Sequence, residues 1–347
     1  MSKEIKIGNI TIGNKSMPAV QTMTNVDTAD GVLLLSEVER LSSAGAEMIR
    51  ATVNNENAVK GFEYVCKRTK VPMIADVHFD YKLAILAAKA GASKVRINPG
   101  NMGKGVGELC QVCNDFGVAI RVGVNKGSLD KDLIEKYGKT PKAMAESALR
   151  RVELLEKHNF YNTVISVKSS DVKETVQANR ILSQITDYPL HLGVTEAGGG
   201  DFAVMKSAIG IGSLLLDGIG DTIRVSLSDD PIKEVQAGID ILRAIGLDKN
   251  FVEVISCPTC GRTEYDVIGI AERLRESTKS IKKRLKVAVM GCVVNGIGES
   301  ADADLGIAGG RDKSVIFEKG KKILTVDNDK VEAVLNDLIT KRVNNVQ

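Results

Sequence analysis

The sequence predicts an α/β protein with an eight-stranded β/α barrel (a TIM barrel) at residues 1–247 and a smaller α/β domain at residues 248–347. Two observations predict the barrel. Eight short apolar segments alternate with amphipathic segments along the first domain. Polar, reactive residues end nearly every apolar segment, as catalytic residues do at the carboxyl ends of barrel strands. An open doubly wound sheet is the alternative arrangement.

Each predicted barrel strand is a β-branched or apolar run, and each predicted helix has apolar residues at helical spacing. The predicted strands are residues 18–24, 48–53, 71–77, 94–99, 118–125, 163–169, 190–195 and 222–228. The predicted helices between them include residues 31–44, 81–90, 140–158 and 201–216.

The pattern changes after residue 250 and predicts a second α/β unit. Its predicted elements are a strand at 251–255, a helix at 264–277 and a strand at 285–290, then a hairpin of 314–317 with 322–326 and a helix at 330–341. About 95 residues suffice for a small domain, and a bound metal would make such a domain sturdier.

Composition excludes several classes of protein. The chain is 43% hydrophobic and 26% charged, which is typical of a globular protein. A net charge of +3 and 13 Phe and Tyr residues, with no Trp, do not favour nucleic-acid binding. No apolar run is long enough to span a membrane, and the first residues lack the apolar core of a secretion signal. We therefore expect a cytoplasmic protein.

Basic residues recur at the ends of the predicted barrel strands. The polar residues at these ends are Gln21, Thr22, Arg50, Asp76, His78, Arg96, Asn98, Arg121, Asn125, Lys168, Glu196, Arg224 and Ser226. Four arginines and one lysine on different strands would converge at one barrel mouth, where they predict an anionic ligand such as a diphosphate or several carboxylates. The alternative is a ring of Arg–Asp pairs that closes the barrel.

Two glycine-rich segments, 197–201 and 209–213, are a weaker signal. Glycines allow backbone N–H groups to approach phosphate oxygens, especially at the start of a helix. A helix break or tight packing explains Gly210 and Gly212 equally well.

The six cysteines fall into two groups. Cys110 and Cys113 lie at helical spacing with apolar neighbours, and Cys66 has a similar setting, so we expect all three in the core. Cys257 and Cys260, in Ser-Cys-Pro-Thr-Cys-Gly-Arg, and Cys292 instead follow apolar strands. Thiols clustered in this way, in a chain with no secretion signal, indicate a metal or redox centre rather than disulfides.

The ligand count narrows the choice of metal. Structural zinc favours four cysteines, or three cysteines and a histidine, but the second domain has no histidine and no fourth cysteine. Three thiolates suit a [4Fe–4S] cluster, and Glu299, seven residues beyond Cys292, would be a weaker and exchangeable fourth ligand. Zinc and a redox dithiol remain alternatives.

Motifs along the whole chain resemble those of the 4-hydroxy-3-methylbut-2-enyl diphosphate synthases. In the second domain these are Ser-Cys-Pro-Thr-Cys-Gly-Arg and Met-Gly-Cys-Val-Val-Asn-Gly-Ile-Gly-Glu, at 256–262 and 290–299. In the first they are Ala-Asp-Val-His-Phe, Arg-Ile-Asn-Pro-Gly, Arg-Val-Gly-Val-Asn and Val-Thr-Glu-Ala-Gly, which begin at residues 75, 96, 121 and 194. The chain is similar to the two-domain bacterial form, without an extra middle domain.

The resemblance implies a reaction. Two electrons and protons open the ring of 2-C-methyl-D-erythritol 2,4-cyclodiphosphate and expel water, giving (E)-4-hydroxy-3-methylbut-2-enyl diphosphate in non-mevalonate isoprenoid synthesis. Flavodoxin or ferredoxin would supply the electrons. A [4Fe–4S] cluster would be held by Cys257, Cys260, Cys292 and Glu299.

The resemblance also implies roles in the barrel. Arg50, Arg96, Arg121 and Lys168 would bind the diphosphate, and Asn98, Asn125, Arg224, Ser226 and, at the cluster, Asn295 would add hydrogen bonds. Asp76 and His78 would orient the substrate or relay protons, and Glu196 would protonate the leaving hydroxyl. An alternative for Glu196 is a salt bridge to the arginines.

Similar enzymes are head-to-tail homodimers in which the cluster domain of one subunit caps the barrel of the other, so we expect a dimer. Two further hypotheses compete with this function. One is a barrel transferase on a phosphate- or pterin-bearing substrate, with a structural zinc in its tail. The other is a non-catalytic cluster protein, which the polar barrel mouth disfavours.

Overall fold

The structure, a computed structural model, describes residues 2–78, 80–97, 105–292, 298 and 301–344. The chain divides into two compact units, Met1–Leu247 and Asp248–Gln347. Among the described residues, no helix is both long and apolar enough to cross a membrane.

The first unit contains an eight-stranded parallel sheet. Its strands are β3 (Ala19–Met23), β4 (Met48–Thr52), β5 (Met73–Asp76), β6 (Lys94–Ile97), β7 (Ala119–Asn125), β8 (Thr163–Lys168), β9 (His191–Leu192) and β10 (Thr222–Ile223). Strands β3 to β8 pair in chain order, and β10 pairs with both β3 and β9. A parallel bridge between Ile165 and Leu190 joins β8 to the residue before β9. The sheet therefore closes into the predicted barrel rather than an open doubly wound sheet.

Helices cover the outside of the barrel. They are α1 (Gly31–Ser43), α2 (Glu56–Cys66), α3 (Tyr81–Lys89), α4 (Val106–Phe116), α5 (Lys131–Tyr137), α6 (Pro141–Glu156), α7 (Val172–Ile185), α8 (Gly200–Leu216) and α9 (Pro231–Ala244). Short polar side chains define where several of them begin: for example, Asp30 and Thr140 accept hydrogen bonds from the first-turn N–H groups of α1 and α6.

Alternate residues of each strand face the helices or the barrel interior. Val95 and Ile97 of β6, for example, belong to the apolar core beneath the helices, so Lys94 and Arg96 face inward. A hairpin of β1 (Ile5–Ile7) and β2 (Ile10–Ile12) closes the amino-terminal end, where Ile7 packs with the first inward residues of several strands. That end is apolar, and the opposite end carries the polar residues.

The second unit contains a five-stranded mixed sheet. Its strands are β11 (Val252–Ser256), β12 (Leu285–Met290), β13 (Leu305–Ala308), β14 (Lys313–Glu318) and β15 (Lys321–Asp327), in that spatial order. The first three are parallel and the rest antiparallel. Helices α10 (Val267–Thr278) and α11 (Val331–Asn344) pack on the sheet through residues such as Leu274 and Leu335.

The predicted fold class is confirmed, with local differences. Strands β9 and β10 are two residues long, shorter than the predicted strands at 190–195 and 222–228. Helix α10 begins at Val267, since the side chain of Asp266 accepts a hydrogen bond from Gly269 N and caps it there. Strand β13 was not predicted. Cys110 and Cys113 are buried in α4, as expected, whereas Cys66 is only partly buried where it packs against the core.

Candidate active site

Basic side chains gather at the carboxyl end of the barrel. Arg50, Arg96, Arg121 and Lys168 face inward from β4, β6, β7 and β8, and Arg224 follows β10. The register sets Arg96 beside Arg121 on neighbouring strands. Because the strands are parallel, their carboxyl ends meet at one mouth, as the sequence predicted.

Asp76 is the acidic centre of one half of this mouth. Its Oδ1 lies 3.1 Å from Arg96 Nη1, and its Oδ2 lies 3.6 Å from Arg50 Nε. Burial alone would raise the pKa of Asp76, but Arg50, Arg96 and Arg121 outweigh burial and lower it. Asp76 is therefore a carboxylate at neutral pH and orients two cations.

His78 extends this pair towards solvent. Its ring nitrogens lie 2.9 and 3.1 Å from Arg96 Nη1, and its Nε2 lies 3.8 Å from Asp76 Oδ1. Partial burial and the nearby arginines lower the pKa of His78 despite the attraction of Asp76. The imidazole is thus neutral near pH 7 and capable of accepting a proton.

Glu234 of α9 is the second carboxylate that pairs with a basic residue of the mouth, and it was not predicted from the sequence. Its carboxylate accepts two hydrogen bonds from Arg224, at 3.0 and 3.2 Å, one from Thr22 Oγ1 at 3.0 Å and one from Leu227 N at 3.0 Å. A Glu in the first turn of a helix usually stabilises the helix itself, so these contacts could not be predicted from its position in the sequence.

Arg121 and Lys168 have no carboxylate ion pair among the described residues. Arg121 is 2% exposed, and its Nε and Nη1 are buried with no hydrogen-bond partner in the part of the chain that the structure describes. Burial, then the neighbouring cations, lower the pKa of both side chains well below their ordinary values. Lys168 Nζ lies 3.2 Å from His191 Nε2, and His191 Nδ1 lies 2.8 Å from Thr222 Oγ1.

Glu196 lies in the loop after β9 with its backbone in the left-handed region, at φ 54°. This conformation is costly for a residue with a side chain and is found at functional sites. Glu196 is exposed, and among the described residues it makes no ion pair with the arginines. The glycines that follow lead directly into α8, where Gly210 is needed for close packing: a Cβ there would lie 2.7 Å from Val194 Cγ2.

Two further predicted barrel residues, Asn125 and Ser226, lie next to basic residues of the mouth in the sheet or in the sequence. Asn125 ends β7, its Cα pairs with that of Lys168, and Ser226 follows Arg224 by two residues with part of its surface exposed. Asn98, Asn295 and Glu299 lie outside the described residues, so their predicted positions stay predictions.

In the second unit, Cys257 and Cys292 follow neighbouring parallel strands, β11 and β12. Gly291 N donates a hydrogen bond to Cys257 Sγ at 3.1 Å. Cys260 is exposed in the next loop, where a backbone hydrogen bond from Arg262, and the charge of that residue, lower the thiol pKa. All three thiols are free. Within the described ranges, no three His, Cys, Asp or Glu side chains surround a single ion.

Tyr265 lies near enough to Cys257 for the charge of that thiol to act on it. Its ring covers the backbone of Gly309 at the end of β13, and its hydroxyl is buried without a hydrogen-bond partner among the described residues. Burial, then the charges of Cys257 and Asp266, raise the pKa of Tyr265, so it remains a hydrogen-bond donor at neutral pH. A buried hydrogen-bond donor without an acceptor destabilises the fold, so the Tyr265 hydroxyl would gain from a bound acceptor at this edge of the sheet.

Two family models together match most of the chain. One, described as the GcpE TIM-barrel domain, matches residues 2–239, and the other, the GcpE protein C-terminal domain, matches residues 253–341. The chain belongs to the GcpE family. The resemblance that the sequence motifs indicated is thereby confirmed.

Curated proteins similar to this GcpE-family chain agree in name and length. A 4-hydroxy-3-methylbut-2-en-1-yl diphosphate synthase (flavodoxin) of Caldanaerobacter subterraneus subsp. tengcongensis is 51% identical over 342 residues, which are 98% of this chain and 96% of that protein. One from Clostridium perfringens is 47% identical, covering 98% of each chain. One from Thermotoga maritima is 49% identical, covering 92% of each.

Solved structures resemble the barrel of this GcpE-family chain in fold alone. A 3-dehydroquinate dehydratase of Geobacillus kaustophilus is 13% identical with a TM-score of 0.52, covering 70% of this chain and 98% of its own. A dihydropteroate synthase of Xanthomonas albilineans is 14% identical with a TM-score of 0.51, covering 70% and 97%. Such distant likeness carries no function, so the barrel-transferase hypothesis gains nothing from it.

Proposed function

We propose that the basic mouth of this barrel binds the diphosphate of 2-C-methyl-D-erythritol 2,4-cyclodiphosphate and that the thiols of the second unit hold the redox centre that reduces it. Family membership makes the chain an oxidoreductase, a 4-hydroxy-3-methylbut-2-enyl diphosphate synthase of non-mevalonate isoprenoid biosynthesis. The product, (E)-4-hydroxy-3-methylbut-2-enyl diphosphate, forms by opening of the cyclic diphosphate with loss of water.

The excess of positive charge at the mouth is the observation that supports a diphosphate site there. Five basic side chains converge there, and Asp76 and Glu234 are the carboxylates that pair with them among the described residues. Arg121, buried with two nitrogens that have no partner among the described residues, has the strongest need for an anion. A bound diphosphate would supply both the charge and the acceptor oxygens.

The other barrel residues take roles consistent with their contacts. Arg50, Arg96, Arg121 and Lys168 bind the diphosphate, while Asp76 holds the first two in position. Hydrogen bonds come from Asn98, Asn125, Arg224 and Ser226. His78, neutral near pH 7, orients the substrate or passes protons. Glu196 protonates the leaving hydroxyl, and its strained backbone supports a functional role.

The donor set of the second unit fits an iron–sulfur cluster. Cys257, Cys260 and Cys292 are three free thiols at one sheet edge, and soft thiolates suit such clusters. Gly291 N–H already donates to Cys257 Sγ, and the Tyr265 hydroxyl, without a partner among the described residues, is a donor that a cluster sulfur would satisfy. A cluster spaces its thiolates more widely than one ion does. We assign Glu299 as the fourth ligand and Asn295 as a substrate contact. When bound, the cluster supplies electrons singly and an exchangeable Lewis-acid iron.

Metal content tests this assignment. Protein purified without oxygen should be brown, with about four irons per chain, and should lose that colour when Cys257 is replaced by Ser. Cys66→Ser is the matched control, because Cys66 packs in the barrel core region. A colourless chain with one zinc would contradict the cluster. Glu299→Ala should keep the cysteines but impair cluster stability or turnover, and unchanged iron and activity would contradict its role as ligand.

We also infer that flavodoxin or ferredoxin donates the electrons and that the enzyme is a head-to-tail homodimer. The segment 246–250 between the units is short, which favours a site shared between subunits. Mixing Glu196→Gln with Cys257→Ser chains tests this. Only if barrel and cluster come from different subunits does a mixed dimer regain one intact site. No recovery after subunit exchange, or a fully active monomer, would contradict the shared site.

A further inference from the structure

A lysine lies fully buried inside the barrel, below the diphosphate site. Lys94 opens β6 and is 0% exposed. Its neighbour Val95 faces the helices, so the lysine side chain faces the interior together with Arg96. Its Nζ reaches across to Met48 Sδ on β4, at 3.9 Å. A thioether is a weak acceptor, so this contact does little to offset the burial of a charged amine.

Among the described residues, the charged groups that act on Lys94 are cations. Arg121 on β7 and Arg50 on β4 are the charged groups that act on Lys94 most. The charges of Lys168 on β8 and of Lys94 both act on His191 of β9. None of the carboxylates in the described part of the chain forms an ion pair with Lys94. The nearest acid of the mouth, Asp76, is already engaged by two arginines.

Other polar groups in this interior lack partners as well. Gln21 is 1% exposed on β3, and both polar atoms of its side chain are buried without a hydrogen bond to any described residue, as are two nitrogens of Arg121. Natural interiors keep few such groups without a purpose. Replacing a buried charge by an apolar residue of similar size is often stabilising, so a lysine at this position points to function rather than to packing.

We propose that Lys94 is a proton-binding site coupled to the diphosphate site: its amine takes a proton from solvent when a diphosphate neutralises the neighbouring arginines, and returns it when the diphosphate leaves. The proposal rests on the diphosphate site proposed above. Lys94 lies below that site and does not touch the phosphates. Its charge therefore acts through the neighbouring arginines, which makes it a positioning residue.

The direction of the coupling follows from the charges. Burial first, then Arg121 and Arg50, lower the pKa of Lys94 well below its ordinary value in the free barrel. A bound anion raises the pKa again. Between the pKa values of the free and bound states, binding therefore takes up a proton, and affinity falls as pH rises. Opening of the cyclic diphosphate frees a terminal phosphate oxygen, so the product carries more negative charge, which a protonated Lys94 would balance.

Calorimetry with inorganic diphosphate tests the proposal on the full-length, cluster-loaded enzyme. Titrations at one pH in two buffers of different ionisation enthalpy give the number of protons taken up. Wild type should take up protons, and Lys94→Met should lose most of that uptake. Lys89→Met, the same change at an exposed position on α3, should leave it unchanged.

The stability of Lys94→Met separates a functional role from a structural one. The depressed pKa in the folded state means that wild type loses stability, relative to the variant, as pH falls below the unfolded pKa of about 10.4. The variant should therefore be at least as stable as wild type at pH 7, with the gap closing towards pH 10. Loss of stability in the variant would indicate a packing role and overturn the proposal.

The outcomes separate the two proposals. Proton uptake that is unchanged in Lys94→Met would assign the proton to Lys168 or His191 and overturn the role of Lys94, while the diphosphate site would stand. Failure of wild type to bind inorganic diphosphate would overturn the diphosphate site itself, and the role of Lys94 with it.

Discussion

Arg96 and Asp76 form an ion pair at the barrel mouth, with Arg96 Nη1 3.1 Å from Asp76 Oδ1. The same carboxylate also faces Arg50 through its second oxygen. One acid therefore fixes two cations and neutralises one of them. The remaining charge is left for a ligand, so this pair both builds the site and keeps it attractive to anions.

Replacing Asp76 by Asn should destabilise the barrel by about 3 kcal/mol, because it leaves two nearly buried guanidinium groups without a counter-charge. It should also raise KM for the cyclic diphosphate, since the two arginines lose their orientation. Urea unfolding followed by circular dichroism, with steady-state kinetics, measures both effects. Asp132→Asn is the control, as it breaks an exposed, solvent-screened pair with Arg150 and should change stability little. Equal losses in the two variants would contradict this account.

The contribution of Asp76 should also depend on pH. Its pKa in the folded protein is below that in the unfolded chain, which is about 3.9. Its stabilisation is therefore complete above about pH 5 and is lost as pH falls through the folded-state pKa. The difference in unfolding free energy between wild type and Asp76→Asn should shrink as pH drops from 5 to 3. A difference that stays constant over this range would show that the charge of Asp76 is not what stabilises the fold.

The sequence predicted the barrel and most of the mouth because both depend on local patterns. Alternating apolar runs mark strands, and polar residues at their ends mark the site. Long-range contacts were not predictable in this way. Thr22 meets Glu234 across 212 positions of sequence, and only the closed barrel brings α9 beside β3.

Two misses have physical causes. Strand β13, Leu305–Ala308, has four residues and includes a glycine, so its pattern does not differ from that of a loop. The burial of Lys94 was not predicted, because lysines at strand ends are usually exposed. Its burial follows from the inward direction of every second residue of β6, which sequence spacing from Arg96 would have indicated.

Gly309 should be intolerant of a side chain. A Cβ at this position would lie 1.9 Å from Cδ1 and Cε1 of the Tyr265 ring, which lies near Cys257. Gly309→Ala should therefore destabilise the second unit by about 2 kcal/mol and displace the ring. Hydrogen exchange of peptides from this unit measures the loss. Gly261→Ala, whose Cβ would meet no atom within 4 Å, is the matched control and should have little effect. If Tyr265→Leu does not relieve the damage in a double variant, the ring is not its cause.

Glu196 offers a test in which stability and activity should separate. Its φ of 54° costs a residue with a side chain about 1 kcal/mol, whereas glycine adopts this conformation freely. The greater chain entropy of the unfolded glycine variant offsets part of that gain. Glu196→Gly should thus be about as stable as wild type, or slightly more stable, while turnover falls about 100-fold or more through loss of the acid. Thermal unfolding and initial rates give the two quantities.

Lys319 supplies the control for that experiment, because it has φ 46° but lies in the exposed turn between β14 and β15. Lys319→Gly relieves the same kind of strain and should keep full activity. Glu196→Gln retains the side-chain length and should lose turnover as Glu196→Gly does, which separates the carboxyl from the loop conformation. Full turnover in Glu196→Gln would remove Glu196 as the proton donor. In that case the strained backbone would have to serve loop geometry alone, and Glu196→Gly would be the more damaging change.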